Sequence, residues 1–235
     1  SAPAGTTVTV GFKACAGRSA CADVGPQAAS VAIGYDACVA AEYSCDKLGY
    51  ATTGDITIGD SACRWLDDDV DSLPCENMDA KDFIEVGDYS CSGYGACNGI
   101  GSRGPAKHVS IGTNSCIEED YPCYRMGNDI ADEYTITVGD GSCVNESACE
   151  SLGRSIENGN IAIGSEACIG EESCYHVAYG PFTGLTSFDA NFSLVSIGDR
   201  ACVGKQICYT FGSGLKGDGN IVSIADDACT EIGDV

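Results

Sequence analysis

Ile161-Ala162-Ile163-Gly164-Ser165-Glu166-Ala167-Cys168-Ile169-Gly170-Glu171-Glu172-Ser173-Cys174 is the unit on which the chain is built. Its first half, [Val/Ile]-x-[Val/Ile]-Gly-x-x-[Ala/Ser]-Cys, occurs nine times, beginning at Val8, Val31, Ile56, Ile84, Val109, Ile136, Ile161, Val195 and Val222. In every copy the first aliphatic residue stands seven positions before a cysteine, namely Cys15, Cys38, Cys63, Cys91, Cys116, Cys143, Cys168, Cys202 and Cys229. Only the glycine lapses, to Ala225 in the ninth copy. A period of about 25 residues along the whole chain predicts a solenoid rather than separate globular domains.

A second cysteine completes the first eight copies: Cys21, Cys45, Cys75, Cys97, Cys123, Cys149, Cys174 and Cys208. It follows the first by six or seven residues, except in the third copy, where the gap is twelve. Three residues further on stands an apolar side chain: Val24, Leu48, Met78, Ile100, Met126, Leu152, Val177 and Phe211. The Val-x-Ile segment reads as a short strand, with β-branched residues that suit one. The glycine reads as a corner, where a backbone without Cβ can turn sharply. Ala/Ser-Cys reads as a second strand, and the second Cys with its apolar follower as a third. The expectation is all-β: a right-handed parallel β-helix of about nine coils, one disulfide-rich domain over 1–235. At the usual strand spacing, nine coils make a rod of roughly 43 Å. Stacking would place Val8, Val31 and Ile56 in one file and Val10, Ile33 and Ile58 in another, giving a continuous but narrow core.

Seventeen cysteines at this density point to disulfides and an oxidising compartment. The zinc spacing Cys-x2-4-Cys does not occur. Pairing can run within a coil or between equivalent cysteines of stacked coils, since both spacings fit a disulfide. The third coil enlarges its inter-cysteine segment by Arg64–Pro74 and still keeps both cysteines, which favours pairing within the coil. That predicts Cys15–Cys21, Cys38–Cys45, Cys63–Cys75, Cys91–Cys97, Cys116–Cys123, Cys143–Cys149, Cys168–Cys174 and Cys202–Cys208. Cys229 is left over, either as a buried thiol or as half of a coil completed by something else.

The net charge of −23 disfavours nucleic acid, anionic lipid and acidic polysaccharide as partners. Cation bridging between acidic surfaces is compatible with it. No apolar run is long enough to span a bilayer. The start at Ser1 reads as a mature terminus after signal removal. Asn145 and Asn191 head N-glycosylation sequons, which agrees with a secreted or cell-surface glycoprotein.

Function on such a scaffold sits on its faces and loops. Asp67, Asp68, Asp69 and Asp71 are clustered beside Trp65, the only tryptophan, and could bind Ca2+, the one cofactor suggested. Their spacing is not that of an EF-hand loop, and a solvated acidic loop is the plainer reading. The segment 179–194 is the longest connection and carries Phe182, Phe188 and Phe192, a set suited to packing on its own solenoid or on a subunit. Tyr124, Tyr175 and Tyr209 each follow a second cysteine. They would serve as an aromatic stack within the sheet or as a platform for a sugar ring. His108 and His176 stand in unrelated contexts, and no catalytic signature accompanies them, so no catalytic residue is assigned and no enzyme is expected. The outward residues of the first strand, Thr9, Ala32, Thr57, Glu85, Ser110, Thr137, Ala162, Ser196 and Ser223, form a small and fairly flat file. Glu85 interrupts it, and one outward position per coil is narrow for ice binding.

The units Ile58-Gly59-Asp60-Ser61-Ala62-Cys63, Val86 to Cys97 and Ile163 to Cys174 resemble a Cys-rich repeat of secreted proteins of diatoms and related algae. The resemblance covers nearly the whole chain. It implies a right-handed β-helix in a cell-surface or matrix setting and carries no catalytic residues. The expected function is a secreted structural protein that associates head to tail or laterally, or with other matrix components, into a fibre or coat. A surface module that binds glycans is the alternative; a carbohydrate-active enzyme or an ice-binding protein comes third.

Overall fold

A computed structural model describes residues 7–18, 21, 30–42, 45, 54–65, 75, 78, 83–100, 108–117, 122–124, 126–127, 135–150, 152–153, 160–175, 177, 192–208 and 220–230. Strands β1 (Thr7–Val10), β2 (Ala16–Arg18), β3 (Ser30–Ile33), β4 (Val39–Glu42), β5 (Asp55–Ile58) and β6 (Arg64–Trp65) lie in the first third of the chain. They are followed by β7 (Phe83–Val86), β8 (His108–Ile111), β9 (Thr135–Val138), β10 (Asn160–Ile163), β11 (Phe192–Ile197) and β12 (Asn220–Ile224). Nine of them form one parallel sheet in strict chain order, β1-β3-β5-β7-β8-β9-β10-β11-β12, and β2-β4-β6 form a second. The molecule is a disulfide-rich parallel β-solenoid.

The register follows the repeat. Val8 pairs with Val31, Val31 with Ile56, Ile56 with Ile84 and Ile84 with Val109, each Cα opposite its equivalent one rung on. Alternation along each strand turns the second and fourth residues inward, so β7 reads half-buried, buried, exposed, buried. Inward residues from Val31 and Ile33 to Val195 and Ile197 are at most 3% exposed. Burying one such Val or Ile side chain stabilises by about 2 kcal/mol. Met78, Ile100, Met126, Leu152 and Val177, the apolar residues beyond the second cysteine, are fully buried on the other side of the core. Val24, Leu48 and Phe211 lie outside the described residues.

The eight disulfides join first to second cysteine within each repeat, from Cys15–Cys21 through Cys202–Cys208, with Cα separations of 5.3 to 5.9 Å. All seventeen cysteines, Cys229 included, have φ between 53° and 61°. This corrects the three-strand reading of a coil. Ala/Ser-Cys is not a strand but a left-handed turn, because a residue at positive φ breaks extended backbone. The second strand starts after the first cysteine, and it survives as a ladder only in β2, β4 and β6. Further along, Ser92, Ile117, Val144, Ile169, Val203 and Thr230 are linked there by single parallel bridges. No third strand occurs among the described residues. Turns with a strand on more than one face are therefore fewer than the nine repeats.

Left-handed backbone costs a non-glycine residue about 1–2 kcal/mol. A disulfide closing so short a loop stabilises by about 2 kcal/mol and offsets part of that cost. The amides in these turns are paired across rungs: Cys38 N–H donates to Ala62 O at 2.9 Å, Cys63 to Ser90 O at 2.9 Å and Cys116 to Ser142 O at 2.9 Å.

Candidate interaction surfaces

The corner after each first-sheet strand is where the rungs approach most closely. Gly34 N–H donates to Ile58 O at 2.8 Å and Gly112 N–H to Val138 O at 2.7 Å, extending the ladder one residue past the strand. The corner glycines do not have left-handed backbone, so they are not there to turn sharply. They are there because the next rung leaves no room. A Cβ on Gly34 would lie 2.6 Å from Gly59 C, and one on Gly112 would lie 2.6 Å from Asp140 N.

The residue after the corner forms a file that the sequence reading passed over. Asp60, Asp88, Asp140, Asp199 and Asp226 each accept a backbone N–H from the rung before, at Tyr35 (2.6 Å), Asp60 (2.7 Å), Thr113 (2.7 Å), Ser165 (2.8 Å) and Asp199 (2.9 Å). These carboxylates serve the stack as N–H acceptors. The signal was visible as Gly-Asp in the repeat, but nothing in spacing told which way the carboxylates point. A second file is buried. Ser90, Ser115 and Ser142 stand where other rungs have Ala, and their hydroxyls donate to Gly112 O, Gly139 O and Gly164 O at 2.5 to 2.6 Å. The hydroxyls of Ser90, Ser115 and Ser142 in turn accept from Ser115 N–H, Ser142 N–H and Ala167 N–H.

The outer face of the first sheet carries two outward positions per strand, not one. Thr7 and Thr9 of β1, or Thr135 and Thr137 of β9, are separated by one inward residue. The face is mixed in chemistry: Asp55 and Thr57 on β5, Phe83 and Glu85 on β7, His108 and Ser110 on β8. Phe83 and His108 are in ring contact at 4.3 Å, and His108 Nδ1 is buried there with no hydrogen-bond partner among the described residues.

Two further groups are exposed. At the N-terminal corner, Phe12 and Tyr35 stack at 6.2 Å, with Lys13 Nζ 5.9 Å and 5.8 Å from their centroids. Phe12 is 74% and Tyr35 45% exposed. Near the other end, Arg200 pairs with Asp227 at 2.6 Å, and Lys205 with Glu171 at 2.7 Å. The hydrogen bond from Arg200 holds the Asp227 carboxyl below its usual range and raises Arg200, and the bond to Glu171 raises Lys205. Arg64 pairs with Asp36 at 3.2 Å, tying the start of the enlarged third repeat to the second.

Comparison with protein-family models, with curated proteins and with solved structures found no match.

The candidate residues fall as follows. Tyr124 and Tyr175 are half-buried, and Tyr124 O accepts from Gly99 N at 2.7 Å, a contact between neighbouring rungs. Asn145 is half-buried in a turn with φ 86°. Trp65 lies in β6 and Phe192 opens β11, with backbone alone described. Asp67, Asp68, Asp69, Asp71, His176, Phe182, Phe188, Asn191 and Tyr209 lie outside the described residues. Cys229 is unpaired and exposed, which corrects the reading of it as a buried thiol. Among the described residues no rung follows β12 on that side. Two groups of cysteine sulfurs, Cys38, Cys45 and Cys63, and Cys174, Cys202 and Cys208, lie within 4.8 Å of one another. All six are oxidised in disulfides, so they offer no thiolate to a metal. No helix among the described residues is long and apolar enough to cross a membrane.

Proposed function

We propose that this chain is a secreted structural protein whose rods pack into an extracellular coat or matrix, in the manner of the algal Cys-rich repeat proteins it resembles. One observation carries the reading: an unbroken nine-stranded parallel sheet whose polar corner groups are turned onto the neighbouring rung. Ser90, Ser115, Ser142 and the corner Asp residues are used in stacking, so the repeat's own polar side chains serve rigidity. Disulfides in eight repeats agree with an oxidising, extracellular setting. No catalytic role is proposed for any residue. The acidic surface sets the condition for packing: rods at net charge −23 repel one another unless cations or salt intervene. Electron microscopy of native material, with and without divalent cations, tests this. Ordered side-by-side arrays are expected, and dispersed single rods at high concentration in both conditions would count against it.

Phe12, Tyr35 and Lys13 favour a second reading, recognition of a glycan at the N-terminal corner. Exposed aromatic rings beside a cation suit a sugar ring, and elsewhere that file is Asp, Thr or Ser. Binding on a glycan array that disappears in Phe12→Ala would support it, and array binding unaffected by that change would exclude this corner.

A further inference from the structure

The corner position is glycine from the first rung to the eighth and Ala225 in the ninth. A Cβ on Gly11 would lie 2.5 Å from Gly34 O, one on Gly139 2.6 Å from Gly164 C, and one on Gly164 2.6 Å from Asp199 N. Real Cβ atoms essentially never come within 3.0 Å of another heavy atom, and the atoms met are backbone that cannot swing aside. In each case the added carbon points at the following rung. Ala225, one rung beyond Gly198, is exposed and its methyl is accommodated.

We propose that this single methyl closes the C-terminal edge of the sheet against any further rung of the same geometry, a second copy of this chain included. A head-to-tail joint would set Ala225 Cβ on the backbone of Gly11 in the next copy. It would also set the Asp226 N–H against Phe12, where five joints inside the stack offer a carboxylate. The two defects differ in weight. The β7–β8 and β9–β10 joints, where Asp88 and Asp140 face Thr113 and Ser165 of the following rung, also lack a carboxylate and are stacked normally, so that loss is tolerable. A corner methyl occurs at no joint within the stack. Exposed sheet edges invite pairing, and blocking them is a general need of β proteins. The inference rests on the reading of the chain as an assembling rod and narrows it: copies meet side by side, not head to tail.

Hydrogen exchange on the full chain provides the test. Gly198→Ala moves the methyl one rung inward. Exchange at least about tenfold faster is expected at amides of 221–229, with amides of 109–163 protected as in the unaltered chain. Undiminished protection of β12 would overturn the proposal, because a corner methyl would then tolerate a stacked rung. Loss of protection throughout would overturn it too, making the methyl a core defect rather than an end to the ladder. Ala225→Gly is the companion and should leave protection within the stack unchanged. Electron micrographs of the unaltered chain separate this proposal from the wider reading. Rods longer than one copy, with the ladder unbroken across joints, overturn the stop and keep assembly. Side-by-side contacts support both, and single rods at every concentration remove assembly while agreeing with the stop.

Discussion

The rungs from β7 to β10 and the rungs at either end share one repeat but not one environment. In the centre, Ile84, Val109, Ile136 and Ile161 are at most 1% exposed, each rung is covered on both sides, and a buried serine file runs through three of them. At the ends, Val8 and Val10 are 41% and 48% exposed, the inward Val222 and Ile224 are only half-buried, and Cys229 is unpaired. The same side chains contribute less where one neighbour is missing. Stability in such a stack is approximately a sum of rung terms and nearest-neighbour terms, so position along the rod decides what a substitution costs.

The corner gives the largest contrast. Gly112→Ala should destabilise by about 3 kcal/mol or more, since two backbones must separate, whereas Ala225→Gly should shift stability by less than about 1 kcal/mol. Denaturant unfolding of the two variants measures this, and similar costs would remove the distinction between centre and end. Next come the disulfides. Replacing Cys143 and Cys149 by Ser should cost about 2–4 kcal/mol, and replacing Cys15 and Cys21 less, because the first rung is already partly exposed. A smaller effect is expected for Ser115→Ala, about 1–2 kcal/mol, since it removes the acceptor of the buried Ser142 N–H. The corresponding Ala37→Gly should cost about 1 kcal/mol at most, as no such bond exists there. The smallest effect is electrostatic. Asp227 has its carboxyl lowered by Arg200, so its contribution is present above the usual carboxylate range and is lost as pH falls through and below it. Both groups are exposed, so salt should shrink the effect. Thermal unfolding of Asp227→Asn should differ slightly from the unaltered chain near neutral pH and coincide with it in strong acid.

Much of this architecture is legible in the repeat because its apolar positions alternate with the pleat. Val8, Val31 and Ile56 could form one file only if each repeat were one rung, and the register is that. The second half of the repeat was harder to read. Seven positions from strand to cysteine fit an extended chain as well as a turn, and only backbone angles show every cysteine to be left-handed. The corner glycine was recognised as necessary for the wrong reason: its lack of Cβ serves close approach rather than turning. The Asp file was present as Gly-Asp in four repeats and Ala-Asp in the ninth, yet a carboxylate beside a corner reads as solvated until its acceptor geometry is seen. The outer face looked one residue wide because the motif begins at the inward Val/Ile and leaves out the outward residue before it, such as Thr7 or Thr135. The functional surfaces remain proposals because the repeat constrains stacking and places no demand on what the outward residues recognise.

The central claim is that each rung is held by its neighbours, so that order declines from the middle toward both edges. Native-state hydrogen exchange, read amide by amide along the ladder donors, tests it most directly. Gly87, Gly112 and Gly139 should exchange slowest, and Gly11 and Gly198 faster, with the ninth rung fastest of all. Equal protection from first to last, or greatest protection at the first and ninth rungs, would contradict the account.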